Sequence, residues 1–233
     1  MKLTTLRKFH KWVGLFLGVQ LVLWSAGGLM FAWLDHHAVT GHNLVAPAPA
    51  LELPDAEVLA EPTTWLAEFE NGELHELRLQ PVASQWIYRV AHERGAELRR
   101  ASDGKPSPID AATARALALQ FYRGDGRLRS VSYLPTETLE SRKFGATWRA
   151  EFEDSKGTSL YFAADSGRLA VVRTDTWRVF DIFWMLHTMD YTGRDNFNNP
   201  VVILAGSAGL WIALTGALLV FRVFKRTDFA LRA

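Results

Sequence analysis

"WRAEFEDSKGTSLYFAADSGR", residues 148–168, decides the architecture. Trp148, Ala150 and Phe152 alternate with Arg149, Glu151 and Glu153, the period of a strand with one buried face. Gly157 marks a turn, Leu160, Phe162 and Ala164 resume the alternation, and an Asp/Gly turn follows. The same pattern stands 62 residues earlier: Trp86 matches Trp148, Gly95 matches Gly157, Leu98 matches Leu160, Ala101 matches Ala163 and Asp103 matches Asp165. A helix is expected before each set of strands. One covers Ile109 to Tyr122, with Asp110 as N-cap and Ala114, Leu117, Ala118 and Phe121 on one stripe; its counterpart covers about Pro62 to Glu70. The expected unit is a helix followed by three antiparallel strands, present twice, which gives an α+β domain of helices on sheets.

Outward from this duplication lie two uncharged runs. Trp12 to Leu34 has 23 residues and Pro200 to Phe221 has 22. At 1.5 Å per residue these helices are ~34 Å and ~33 Å long, enough to cross a bilayer core. Asn199 and Pro200 suit the cap and first position of the second helix. Lys2, Arg7, Lys8 and Lys11 precede the first run, and Arg222, Lys225, Arg226 and Arg232 follow the second. Basic flanks on both outer ends predict cytoplasmic termini and an external middle segment. Those eight residues leave 18 basic against 24 acidic between them, so the middle is near −6 and carries no nucleic-acid footprint. With no cysteine, the chain has no disulfide, thiolate catalyst, iron–sulfur cluster or cysteine-held zinc. The parts expected are 1–34, the N-terminus and first span; 35–176, the tandem domain; 177–198, an amphipathic interfacial segment; and 199–233, the second span and C-terminus.

Both spans carry small residues at spacing four: Gly14 and Gly18 in the first, and Ala205, Gly209, Ala213 and Ala217 in the second. Such stripes let helices approach closely, and the second ladder is expected to form the packing face. Two helices bury little against each other, which predicts a homodimer or a larger membrane-protein complex in the lipid bilayer. His10 continues the Gly14–Gly18 stripe into the basic flank.

Three stretches carry a resemblance: "RKFHKWVGLFLG" (7–18), "SLYFAADSGRLAVV" (159–172) and "VFDIFWMLHTMDY" (179–191). Together they resemble the PepSY-associated transmembrane family. The resemblance implies a bacterial inner-membrane protein with tandem PepSY-like units in the periplasm. Larger relatives hold b-type haem between membrane helices, and some reduce ferric siderophores. On that likeness haem b is the expected cofactor, with electron transfer toward a periplasmic acceptor as the function. His10 would be an axial ligand on the cytoplasmic side, with Gly14 and Gly18 leaving room for the ring. His187, with His36 or His37, would hold a separate outer haem, because His10 and His187 lie about one span apart, ~30 Å. The competing expectation is a non-redox PepSY module that docks a protein partner, with the helices as anchor.

Overall fold

The computed structural model describes residues 3–47, 55, 58–69 and 74–223. The basic residues beyond 223, most of the 46–54 linker and Glu70 lie outside them. The chain divides into two compact units, residues 35–178 and residues 1–34 with 179–233.

The unit 35–178 opens with a short helix α2 (His36–Thr40), following α1 (Leu3–Trp33) of the other unit. Asp35 caps α2 by accepting from the amides of His37 and Ala38. Gly41 ends it in the left-handed region at φ 69°, where a Cβ would stand 2.6 Å from Val172. Only glycine admits that contact together with that backbone. A 3-10 turn (His42–Leu44) and α3 (Thr63–Leu66) follow. α3 is shorter than the expected 62–70 helix.

Two antiparallel meanders form the body of this unit. One orders β1 (Leu74–Val82), β2 (Gln85–His92) and β3 (Gly95–Arg100); the other orders β4 (Arg127–Leu134), β5 (Thr147–Glu153), β6 (Ser159–Ala163) and β7 (Leu169–Arg173). Helix α4 (Ala111–Phe121) stands between them in sequence, and Asp110 caps it by accepting from the amide of Thr113 at 2.7 Å. Trp86 and Trp148 each fall in the second strand of their sheet, and Gly95 and Gly157 each turn into the third with positive φ.

The second sheet has a fourth strand that the sequence reading omits. The first copy holds its remnant. Beyond the Asp103–Gly104 turn, the amide of Arg100 donates to Lys105 O, that of Ser107 donates to Leu98 O, and Arg99 bridges Pro106. The second copy repeats the first of these bonds, from Ala163 N to Arg168 O, and continues into β7. The first ladder ends with the Ser107 bond, one residue beyond Pro106.

The glycine of the first turn docks on the helix of its own copy, and that of the second docks on α4 and on β1 of the other copy. A Cβ on Gly104 would meet Trp65 of α3 at 2.5 Å, and one on Gly167 would meet Val82 at 2.9 Å, Ile109 at 3.0 Å and Leu117 of α4 at 3.5 Å. The main core joins both copies: Val82, Ile87 and Leu98 of the first sheet pack with Leu117, Ala118, Phe152, Leu160 and Phe162. The other face of the first sheet, with Tyr88 and Val90, covers Trp65.

In the other unit, α1 and α6 (Pro200–Val223) are long and apolar enough to cross a membrane, and only 11% of the most apolar window of each is buried in the protein. Phe16, Leu29, Leu204 and Phe221 stand out bare. A buried core helix does not look like this, and the two helices bracketing an α+β unit are consistent with membrane anchoring. The Asn199 side chain caps α6, accepting from Val202 N at 2.9 Å and donating to Thr188 O at 2.9 Å.

The packing seam differs from the expected ladder. Along α1 a sheltered row runs through Leu6, His10, Val13, Leu17, Gln20, Trp24, Gly27 and Phe31 in alternating steps of four and three, with Gly14, Gly18, Leu23 and Met30 sheltered beside it. The sheltered residues of α6 include Ala205, Ala208, Gly209, Ile212, Thr215 and Leu219, so the first half of the expected ladder, Ala205 and Gly209, does face the seam. The alternating step is the heptad period of left-handed helix pairing. A strict step of four turns ~400°, so it drifts ~40° from the seam each time. Ala213 and Ala217 are accordingly exposed.

Candidate functional site

The seam carries polar groups that no bilayer would solvate, and each is engaged inside the protein. His10 Nδ1 lies 2.8 Å from Thr215 Oγ1, and a Cβ on Gly216 would touch the ring at 3.3 Å. Thr215 donates its single hydroxyl proton back to Trp211 O at 2.8 Å. Its oxygen therefore accepts from His10 Nδ1–H. The neutral ring then has its lone pair on Nε2, the tautomer that a metal-binding histidine with an oriented second nitrogen requires. Gly14 faces Ile212, at 3.7 Å from an added Cβ, so that part of the stripe packs helix on helix. Gly18 has open space over it. Phe9, Val13, Ala208 and Trp211 line a shallow apolar groove of about 410 Å³ on the same pair.

Higher on α1 the seam meets α5 (Asp175–Thr188) through that helix's last turns. Gln20 donates to Leu186 O at 3.0 Å, and Trp24 Nε1 donates to His187 O at 2.8 Å. Two orphan carbonyls of the α5 terminus are thus capped by side chains of α1. The His187 ring packs on Gly27, where a Cβ would stand 3.6 Å from Nδ1, and on Trp24 and Phe31. His187 Nδ1 is buried and finds no partner among the described residues. Burying an unpaired N–H there costs about 1–3 kcal/mol, so the proton belongs on Nε2. The two histidines present opposite tautomers, and only His10 offers a bare Nε2. Gly27 and His10 are 17 residues apart on one helix, a rise of ~25 Å. One flat ring cannot reach both.

The turn after α5 is built on Asp190. Its carboxylate accepts from the amides of Asn196 and Asp195, each at 3.0 Å, from Gly193 N at 3.1 Å and from the Thr192 hydroxyl at 3.1 Å. The Asn196 amide and its neighbours hold the carboxyl well below the usual range. Arg194 donates to buried Asp181 at 2.7 Å. This constellation fixes a turn, and its groups are consumed in doing so.

His36 and His37 lie on exposed α2 with ring centroids 6.2 Å apart. Among the described residues no group of three or more histidine, aspartate or glutamate side chains is arranged to hold a metal ion.

The unit 35–178 contains a feature that sequence reading missed. A cleft of about 560 Å³ opens where β1 faces the β6–β7 turn. Glu76, Arg78, Arg89, Lys143, Asp165 and Arg168 line it, four cations against two anions. Arg89 forks between Glu76 at 3.0 Å and Asp165 at 2.8 Å. Gln80 Nε2 donates to Ser166 O at 2.7 Å and closes the floor. A second cavity of about 240 Å³ shares Arg78, Gln80, Ser166 and Arg168 and continues onto Pro81, Leu117 and Phe121. The residues come from both copies, 60 to 90 positions apart, and no local motif announces them. The acidic total of the middle segment points the other way.

No family model matches the chain, and no curated protein or solved structure is similar to it.

Proposed function

We propose that the protein is a membrane-anchored binding module whose 35–178 unit docks a partner at the cleft between its two copies. The observation that carries this is the cleft itself, cationic in an otherwise acidic segment and lined by β1 and β7, each the outer strand of its sheet. Outer strands offer unpaired main-chain groups, and natural proteins cover or block them unless they are used. The sequence likeness to PepSY modules agrees with a docking role, as does the doubled helix-and-sheet unit. In this reading α1 and α6 anchor the module in a bacterial inner membrane with both termini cytoplasmic. A photo-crosslinking phenylalanine analogue in place of Phe144, an exposed residue of the cleft lining, should give a discrete adduct in the full chain expressed in its own cells. Absence of any adduct at this position, with adducts forming equally from a site on the outer face of α4, rejects the reading.

A second reading is favoured by the His10 tautomer: haem b at the cytoplasmic end of the helices, shared between two chains. His10 Nε2 would supply one axial ligand per chain, and Thr215 would orient the ring from the other nitrogen. Bound there, the cofactor would supply one-electron transfer. The opposite tautomer at His187 makes an outer haem the weaker half of that reading. The visible spectrum of the detergent-solubilised protein from haem-replete cells decides: no Soret band ends this reading and leaves the docking reading intact.

A further inference from the structure

The cleft also indicates what kind of partner segment it takes, an inference that rests on the docking reading above. We propose that it binds an extended acidic peptide segment with a large apolar side chain, added as a strand beside β1 or β7.

The charge argument comes first. Of the cleft's cations, Arg78 and Arg89 are tied to Glu76, and Arg89 also to Asp165. The Arg168 side chain is exposed, faces the same cleft and has no ion pair or hydrogen bond among the described residues. The tied pairs cancel, two arginines against two carboxylates, and the Arg168 side chain is left to close on an anion. Its guanidinium fork suits a carboxylate.

Shape supplies the second argument. The smaller cavity opens off the charged one through shared Arg78, Gln80, Ser166 and Arg168. Its Pro81, Leu117 and Phe121 walls and its 240 Å³ match one large apolar side chain. A ligand filling both therefore carries anionic and apolar groups a few ångströms apart.

The third argument separates a peptide from a small anion. The lining includes Glu76, Arg78 and Gln80 of β1 and Leu169 and Ala170 of β7, and both are outer strands. Alternate side chains of an added strand point to one face. A segment with glutamate and leucine two positions apart thus presents a carboxylate to the cations and a leucine to the cavity that opens off the same cleft.

The test uses the full chain in detergent and a short fluorescent peptide in which Glu and Leu stand two positions apart, with Ser between them. Saturable binding is expected, weakening as salt is raised. Arg168→Glu should reduce affinity about tenfold or more, since it turns an attraction into a repulsion. Its melting temperature should stay that of the parent, because Arg168 holds nothing in the fold. A Glu–Ser peptide should bind more weakly than the Glu–Leu peptide, and a Lys–Leu peptide should not bind. Three results overturn the proposal: no saturable binding, binding indifferent to Arg168→Glu, or equal binding of the Glu–Ser peptide with full displacement by inorganic phosphate. The last outcome would mark a simple anion site. A crosslinked partner at position 144 together with failure of the peptide would sink this inference alone and leave the docking reading standing.

Discussion

Tyr122 shows how much one side chain can hold. Its ring stacks on Phe152 at 3.7 Å, its hydroxyl donates to Asp154 at 2.7 Å, and Gly126 N donates to that hydroxyl at 3.0 Å. Burial, then the Asp154 carboxylate, pushes the phenol up to about 12. Burial alone would raise Asp154, but hydrogen bonds from Thr158 and Tyr122 outweigh it and hold that carboxyl below its ordinary value. An unfolded tyrosine ionises near ~10, so the raised phenol stabilises the fold fully below that pH and loses the contribution as pH climbs toward 12. Asp154 acts in the opposite direction, with its contribution present above the ordinary carboxylate range and lost as pH falls below it. Tyr122→Phe keeps the stack and removes two hydrogen bonds, which should cost about 1–3 kcal/mol in urea unfolding. The variant should also lose part of the decline in stability between about pH 10 and 12; an unchanged alkaline limb would show that Tyr122 does not govern it. At this scale the sequence was partly legible. Asp110 and Asn199 announced themselves as caps because capping is local. The partners of Tyr122 and His10 were hidden, since they lie 32 and 205 residues away.

At the scale of elements, turns and seams specify more than strands do. Gly167 needs both a positive φ and a missing Cβ, so Gly167→Ala should destabilise the 35–178 unit by about 1–3 kcal/mol. Gly145 also has positive φ but nothing near it, so Gly145→Ala should cost only the backbone strain and less than Gly167→Ala. Thermal melts of the pair measure the docking contact as the difference. In α1, Gln20→Leu leaves Leu186 O without its donor and should weaken the α1–α5 contact by about 0.6–2 kcal/mol, read as faster proteolysis around 189–199 in detergent. The two meanders were legible because alternation and glycine spacing are short-range. The fourth strand was not, because Leu169 to Arg173 lacks a clean alternation and is defined by its pairing with β6. The seam was legible in part: Gly14, Ala205 and Gly209 are sheltered, but a strict spacing of four carries Ala213 and Ala217 out of it, and large residues such as Leu17, Trp24 and Phe31 also face inward.

At the scale of the whole molecule, residues 35–178 have their own core and should fold alone. Expressed without the apolar helices, this segment should remain soluble and unfold in one cooperative step; aggregation or a gradual melt would show that it depends on the remainder. Basic flanks at both outer ends predict that a reporter fused after residue 233 is active in the cytoplasm. The cleft emerges only at this scale, because it is made where two distant copies meet. Gly41, pressed against Val172 and Thr174, has a consequence of another kind. The chain enters this unit and leaves it at adjoining points, so the unit is a cassette spliced into a helical hairpin. Tugging on the helices would strain that short clasp and leave the sheets unloaded. Residues 42–173 could accordingly be exchanged for any domain whose ends adjoin, or for a brief glycine-rich bridge, with α1 and α6 still able to pair.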